Sequence, residues 1–152
     1  MTIPGLARIV AALLLALAGA DVSAQSGLKA LGDYTKGQLN LPVLPVGLYY
    51  VESAAGGSHS LARRNDGSVV ASGYNLLDQC NVPPLPAGLT WVDIAASYTH
   101  SIALRSDGSA VAWGGNAQGE CDVPPLPVGL SYVQVSAGTF SGARRSDGSI
   151  IC

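Results

Sequence analysis

The chain has two histidines, His59 and His100, and each is followed by a serine. A serine nucleophile needs a histidine within hydrogen-bond reach, a third group to orient that base, and donors for the oxyanion. Neighbours on a strand point to opposite faces, so His100 and Ser101 cannot form such a dyad with each other. Together with Cys80 and Cys121 the histidines could be read as metal ligands. Their spacings match neither the CxxC nor the HExxH pattern that places ligands on one ion. Asp66, Asp107 and Asp147 are carboxylates of the kind used in calcium or acid–base sites, but each stands directly before a glycine, Gly67, Gly108 and Gly148. Asp-Gly between two strand-like runs is a hairpin turn, because glycine accepts positive φ and aspartate tolerates it. Gly114-Gly115-Asn116 lacks the lysine and following helix of a phosphate-binding loop. No catalytic residues are assigned, no metal or other cofactor is called for, and the expectation is that the protein is not an enzyme.

These residues recur, and the recurrence explains most of them. Offsetting the sequence by 41 residues places Ser58–Asn75 on Thr99–Asn116 and Gln79–Leu89 on Glu120–Leu130 without a gap. Gly37–Leu48 matches the same segment one unit earlier, and Ser131–Cys152 matches Thr90–Ala112 with one residue missing. A fixed period of this size is the mark of a repeat architecture. A residue copied in each unit is architectural rather than part of one asymmetric site. His59 and His100 are therefore expected to tie together backbone groups inside their own units.

Each unit reads as β. Trp91–Ala95 has apolar residues at alternate positions, Ser101–Arg105 is a second strand, and Ala110–Trp113 returns after the Asp107-Gly108 turn. Val123–Pro127 cannot be a central strand, since proline donates no ladder bond, and is read as an extended connector whose valine and leucine cover the sheet edge. Tyr50, Trp91 and Tyr132 share one phase and are expected to pack between units. The fold class is all-β. A unit of this length fits one blade of a β-propeller; a β-solenoid is the rival, with shorter repeats that rarely need a hairpin in each.

Composition agrees. Charged residues make up 12% of the 152 and the net charge is −2, so no basic surface for nucleic acid or anionic lipid is supported. With 48% hydrophobic residues the chain is not of disordered type. The first 24 residues stand apart: Arg8 is their only basic residue, Ile9–Ala20 is apolar, and Val22-Ser23-Ala24 offers small residues for cleavage. The apolar run is short of the roughly 20 residues of a membrane span. Residues 1–24 are read as a secretory signal peptide cleaved after Ala24, and 25–152 as the exported array, placed outside the cell, in the periplasm or at the cell surface. No membrane span is expected in the mature chain. Cys80 and Cys121 fall at one phase of adjacent units, a poor disulfide geometry, so both are read as small buried thiols, with Cys152 free.

The run His100–Asn116, HSIALRSDGSAVAWGGN, with Gly119–Pro124, GECDVP, resembles the repeat of the regulator-of-chromosome-condensation family. It is similar to that family's bacterial exported branch, which includes a secreted β-lactamase inhibitory protein. The resemblance covers about Ala30 to Cys152. It implies a propeller whose loops bind other proteins. The founding member's nucleotide exchange on a small GTPase and its seat on chromatin do not carry over, because no exchange surface maps onto this chain residue by residue. The pattern is broken in places. Ser72 stands at the phase of Trp113 and Asp78 at that of Gly119, and the third unit has no histidine.

About three blades are present, fewer than the usual minimum for a closed ring. The array is thus expected to be an incomplete ring: a fragment continued by further repeats, a homo-oligomer, or an open arc. Tyr74, Tyr98 and Phe140 lie at positions that vary between units, and variable aromatics on the loops of a fixed scaffold are where binding is built. Arg63 and Arg64 are near them in phase, so these five are the candidate protein-contact residues. His59, His100, Trp113 and the three Asp-Gly pairs are assigned to structure. The expected function is a non-enzymatic exported scaffold for an unknown protein partner. A structural or cell-surface element without its own ligand is the alternative, and a propeller hydrolase or lyase comes last.

Overall fold

A computed structural model describes residues 35–152; the signal segment, its cleavage point and Ala30 lie outside the described residues. These residues form nine strands in three antiparallel sheets of three. The first blade contains β1 (Tyr50–Ala55), β2 (His59–Arg64) and β3 (Val69–Gly73). The second contains β4 (Trp91–Ala96), β5 (His100–Arg105) and β6 (Ala110–Gly114), and the third β7 (Tyr132–Ala137), β8 (Ser141–Arg145) and β9 (Ile150–Ile151). Each sheet is a simple meander in chain order, and the three do not close into a ring.

The first strand of each blade begins at an aromatic residue, Tyr50, Trp91 or Tyr132, but departs from plain alternation. In β4, Trp91 faces Arg105 while Asp93 faces Leu104, so Val92 is an extra residue. The same bulge falls at Val51 and Val133. A bulge puts two residues opposite one and re-aims the side chains beyond it. Trp91 and Ile94, three apart, therefore both point into the core, and so do Tyr132 and Val135.

The Asp-Gly turns form as expected at the glycine and differently at the aspartate. Gly67, Gly108 and Gly148 have φ of 78°, 83° and 88°, whereas none of the three aspartates has positive φ. Asp66 instead uses its carboxylate as a cap, accepting from the Ser68 amide at 2.9 Å and hydroxyl at 2.6 Å. Asp107 and Asp147 do the same with Ser109 and Ser149. Each turn also reaches the following blade. The Gly67 carbonyl accepts from Trp91 N at 2.9 Å and the Gly108 carbonyl from Tyr132 N at 2.8 Å.

Two apolar cores lie between the blades. Leu61, Trp91, Ile94, Ala103 and Trp113 fill the first junction, and Ala95, Ile102, Leu104, Tyr132, Val135 and Ala143 the second. Trp91 and Trp113 are tilted rings with centroids 6.1 Å apart, and the Arg105 guanidinium lies 5.5 Å over Trp91. The connectors carry no ladder, and Val82, Leu85, Val123 and Leu126 pack from them onto the cores. Tyr50 departs from its phase-mates in being only half-buried, its hydroxyl donating to the Pro42 carbonyl. The irregular positions have local reasons. Asp78 takes the left-handed φ of 62° where its counterpart is Gly119, and Ser72 replaces an indole by donating to the carbonyls of Gly37 and Asn40.

Candidate functional site

Antiparallel meanders put alternate loops at opposite ends. The β1–β2, β4–β5 and β7–β8 loops share one end of the array, and the Asp-Gly turns share the other. Across the loop end runs a groove of about 460 Å³, lined by Gly56, Gly57, Ala96 and Gly138. Tyr98, Thr99, Thr139 and Glu120 also line it. Small residues are required there: the Gly57 amide donates to the Ser97 carbonyl at 3.0 Å, and a Cβ on Gly57 would run into the Tyr98 ring.

Of the five candidate contact residues, three reach this end. Tyr98 stands in the groove with 76% of its surface exposed, and Phe140 beside Thr139 with 52%. Tyr74 follows Gly73, which pairs with His59, and is half-buried with the Lys36 ammonium 5.8 Å over its ring. Arg63 and Arg64 are elsewhere. They end β2 at the turn side, roughly 16 Å from His59 at about 3.3 Å per residue. Arg63 is held there by Glu52 at 2.8 Å. The tyrosine–arginine surface expected from phase is therefore two separate surfaces. Shared phase marks equivalent positions, not neighbouring ones.

His59 ties more than its own blade, whereas His100 does not. His59 Nε2 meets Ser101 Oγ of the next blade at 2.9 Å, and Ser101 is fully buried. Ser101 donates its own proton to the Gln79 carbonyl at 2.9 Å, so His59 donates to the serine. That polarity is the reverse of a general base on a nucleophile. His100 Nδ1 meets Ser97 Oγ at 2.7 Å within its own loop, through a side chain rather than the backbone. Burial lowers both imidazole pKa values; the His100 charge adds to this at His59, and Glu120 opposes it at His100. Trp113, buried at the first junction, donates to the same Gln79 carbonyl at 3.0 Å.

A row of polar groups crosses the inner strands. Asp93 Oδ2 accepts from Val135 N of the third blade at 2.8 Å. Glu52, at the same phase one blade earlier, has its pKa raised by burial and by Asp93, against the pull of Arg63. The turn carboxylates of Asp66, Asp107 and Asp147 are held low by the serine hydroxyls and amides they cap.

The three cysteines form no disulfide, and Cys80 and Cys121 are half-buried rather than buried. Their thiols donate to the carbonyls of Tyr74 and Gly115. Burial pushes Cys80 up, and burial with Glu120 and Asp122 pushes Cys121 to about 11. Asn75 and Asn116 organise these loops by accepting from the amides of Cys80 and Cys121, a role sequence reading missed although both asparagines recur. Among the described residues no group of three or more His, Cys, Asp or Glu side chains could hold a metal. No helix among them is long and apolar enough to cross a membrane.

The fold and its loop face define a propeller-repeat array. The model of the regulator of chromosome condensation (RCC1) repeat matches residues 91–120, the span from Trp91 through β5 and β6 to Glu120. No curated protein matches the chain significantly. Among solved structures it is similar to the complex of Kap60 with yeast RCC1 (Prp20), at 21% identity and a TM-score of 0.53, over 66% of this chain and 31% of that one. The ectodomain of the Physcomitrella patens receptor kinase CR4 aligns at 22% identity and 0.54, over 70% and 31%. Human WBSCR16 aligns at 20% identity and 0.54, over 67% and 32%. At these identities the likeness shows the fold. The chain spans about a third of the length of each.

Proposed function

We propose that the protein is an exported, non-enzymatic scaffold that binds another protein through its loop face. The observation that carries this is the groove across the loop ends, lined by Gly56, Gly57, Gly138 and a largely exposed Tyr98. A large aromatic on a short hydrogen-bonded strand-end loop gives contact area at little entropic cost, which is what dominant contact residues supply. RCC1 repeat proteins that bind partners lend support: one solved relative is bound to Kap60, and a study of Prp20p concerns its binding to Gsp1p and histones. Export rests on the N-terminal segment, and mass spectrometry of the secreted chain should find Gln25 first.

The test is a display library of secreted proteins panned against the full chain. Tyr98→Ala should weaken a selected binder by about 2 kcal/mol, the scale of a dominant aromatic contact. Arg63→Ala, at the far end, should leave it unchanged. Equal capture by wild type and Tyr98→Ala would refute this surface.

The span of about a third of each solved relative favours a second reading, in which the array is one part of a larger ring. Light scattering on the secreted protein separates them: a monomer with one cooperative unfolding transition excludes self-assembly.

A further inference from the structure

One phase of the repeat carries a different group in each unit: Glu52 on β1, Asp93 on β4 and Gln134 on β7. Each follows the bulged valine of its strand. The residues opposite differ as well. Arg63 faces Glu52, Leu104 faces Asp93 and Arg144 faces Gln134. Asp93 alone of the three has no arginine across its own sheet, and it reaches sideways instead. Its Oδ2 accepts from the Val135 amide of the third blade at 2.8 Å. Toward the first blade, the Glu52 carboxyl lies within hydrogen-bond reach of it. Glu52 is held in turn by Arg63 Nε at 2.8 Å, and both of those side chains are mostly buried. A polar line, Arg63 to Glu52 to Asp93 to the Val135 amide, thus crosses both blade junctions.

Two ionised carboxylates have only acceptors to offer each other, and one guanidinium does not neutralise both. We infer that Glu52 and Asp93 share one proton, which makes the contact between the first two blades a latch that closes as the surroundings turn acidic. The proton passes from solvent to Glu52, which donates it to Asp93. Asp93 then accepts from Glu52 and from the Val135 amide together. Burial raises the proton affinity of Glu52; Arg63 opposes this and Asp93 adds to it. When Glu52 loses the proton the two carboxylates repel, and the line breaks at its middle. Because the folded chain holds this proton more tightly than the unfolded chain, the latch contributes in full below the ordinary value of 4.5. Its contribution is lost as the pH rises through the raised folded value. Few other charges face the pair. β1 packs against β2 and β4, and β4 against β2, β5 and β7. Besides Arg63, β2 brings Arg64, opposite Tyr50; β5 brings Arg105, opposite Trp91; and β7 has no charged residue. His59 and His100 begin β2 and β5 at the loop end, roughly 13 Å along the strand from this line at about 3.3 Å per residue.

The experiment titrates the full chain from about pH 4 to about pH 8 and follows, by NMR, the Glu52 and Asp93 carboxyl carbons and the Val135 amide. In the wild type all three signals should move through one common step above the ordinary carboxylate range, the behaviour of a coupled pair. Asp93→Asn puts an amide at the phase where Gln134 already stands, so the fold accommodates it. It removes the neighbouring charge and offers Glu52 an N–H, and should lower the Glu52 midpoint by about one pH unit, a tenfold loss of proton affinity. Glu52→Gln carries a permanent N–H in place of the shared proton. It should abolish the Val135 step in that range. Its urea midpoint should gain on that of the wild type as the pH rises from about 4.5 to about 7.5, and since both proteins keep the histidines, their titration cancels in the comparison. A Glu52 midpoint that stays put in Asp93→Asn would overturn the inference. A Val135 step that persists in Glu52→Gln, or a difference in urea midpoint that is constant with pH, would do the same.

Discussion

Three glycines at one phase of the repeat separate the cost of a turn from the cost of a junction. Gly67, Gly108 and Gly148 share nearly the same positive φ, yet their surroundings differ. A Cβ on Gly67 would lie 2.5 Å from Thr90 Cβ, and one on Gly108 would lie 2.5 Å from Ser131 Cβ. A Cβ on Gly148 would meet nothing within 4 Å. Alanine at any of the three has to adopt a left-handed conformation, which costs about 1–2 kcal/mol. At Gly67 and Gly108 it also pushes on the segment that enters the next blade, and overpacking of that kind adds about 1–3 kcal/mol. It strains as well the carbonyl contacts to Trp91 and Tyr132. Gly148→Ala should therefore lose about 1–2 kcal/mol and Gly67→Ala or Gly108→Ala about 2–5 kcal/mol in urea unfolding followed by tryptophan fluorescence. A loss at Gly108 of no more than about 1–2 kcal/mol, the cost of the left-handed conformation alone, would refute the claim that the turns hold the blades together.

Trp113→Ala should cost about 3–5 kcal/mol, since it empties a buried indole site, whereas Trp113→Phe should cost about 1 kcal/mol because the Gln79 carbonyl keeps Ser101 as donor. The same urea titration reads both, and a phenylalanine as damaging as alanine would put the weight on the hydrogen bond instead. Burial holds His59 and His100 below the ordinary imidazole pKa, so the unfolded chain takes up protons first as the pH falls. Their contribution to stability is present above about pH 6.5 and is lost as the pH drops through that value toward the folded pKa. Glu52, raised by burial, acts in the opposite sense, so the difference between wild type and His59→Phe isolates the histidine. Melting at about pH 7.5 and 5.5 should show a flatter profile in the variant; parallel profiles would exclude His59 as the titrating group. Cys152 is exposed, and should react with a thiol reagent well before Cys80 and Cys121, which are half-buried with raised pKa. Simultaneous loss of all three thiols under native conditions would contradict the junction geometry.

Much of the fold is legible in the chain because the repeat aligns units that each carry the same punctuation. Asp-Gly locates the second hairpin of every blade, and the proline run excludes a strand from every connector. The bulges at Val51, Val92 and Val133 are not legible, since a strand of six residues with one extra member still reads as roughly alternating. The His59–Ser101 contact escaped for a related reason: it joins side chains 42 residues apart, and periodicity shows what is equivalent rather than what touches. The same limit placed Arg63 and Arg64 with Tyr98, although the strand direction sets them at the other end. Tyr98 and Phe140 stand out in the chain because they differ from their counterparts, and the structure leaves both exposed at the loop end.

The carbonyl of the turn glycine reaches the first strand of the following blade, and the separation is the same at both junctions, Gly67 to Trp91 and Gly108 to Tyr132. Register is thus handed on at the turn end by a contact that repeats at both junctions, while the loop end adds the Gly57–Ser97 contact at the first. The third unit shows the consequence, for its missing residue falls in the β7–β8 loop at the opposite end, and the junction contact is intact. Gene duplication can lengthen such an array by whole units without redesigning any contact, and loop-end sequences are free to drift in length. An insertion between the turn and the next strand would instead misalign every blade downstream.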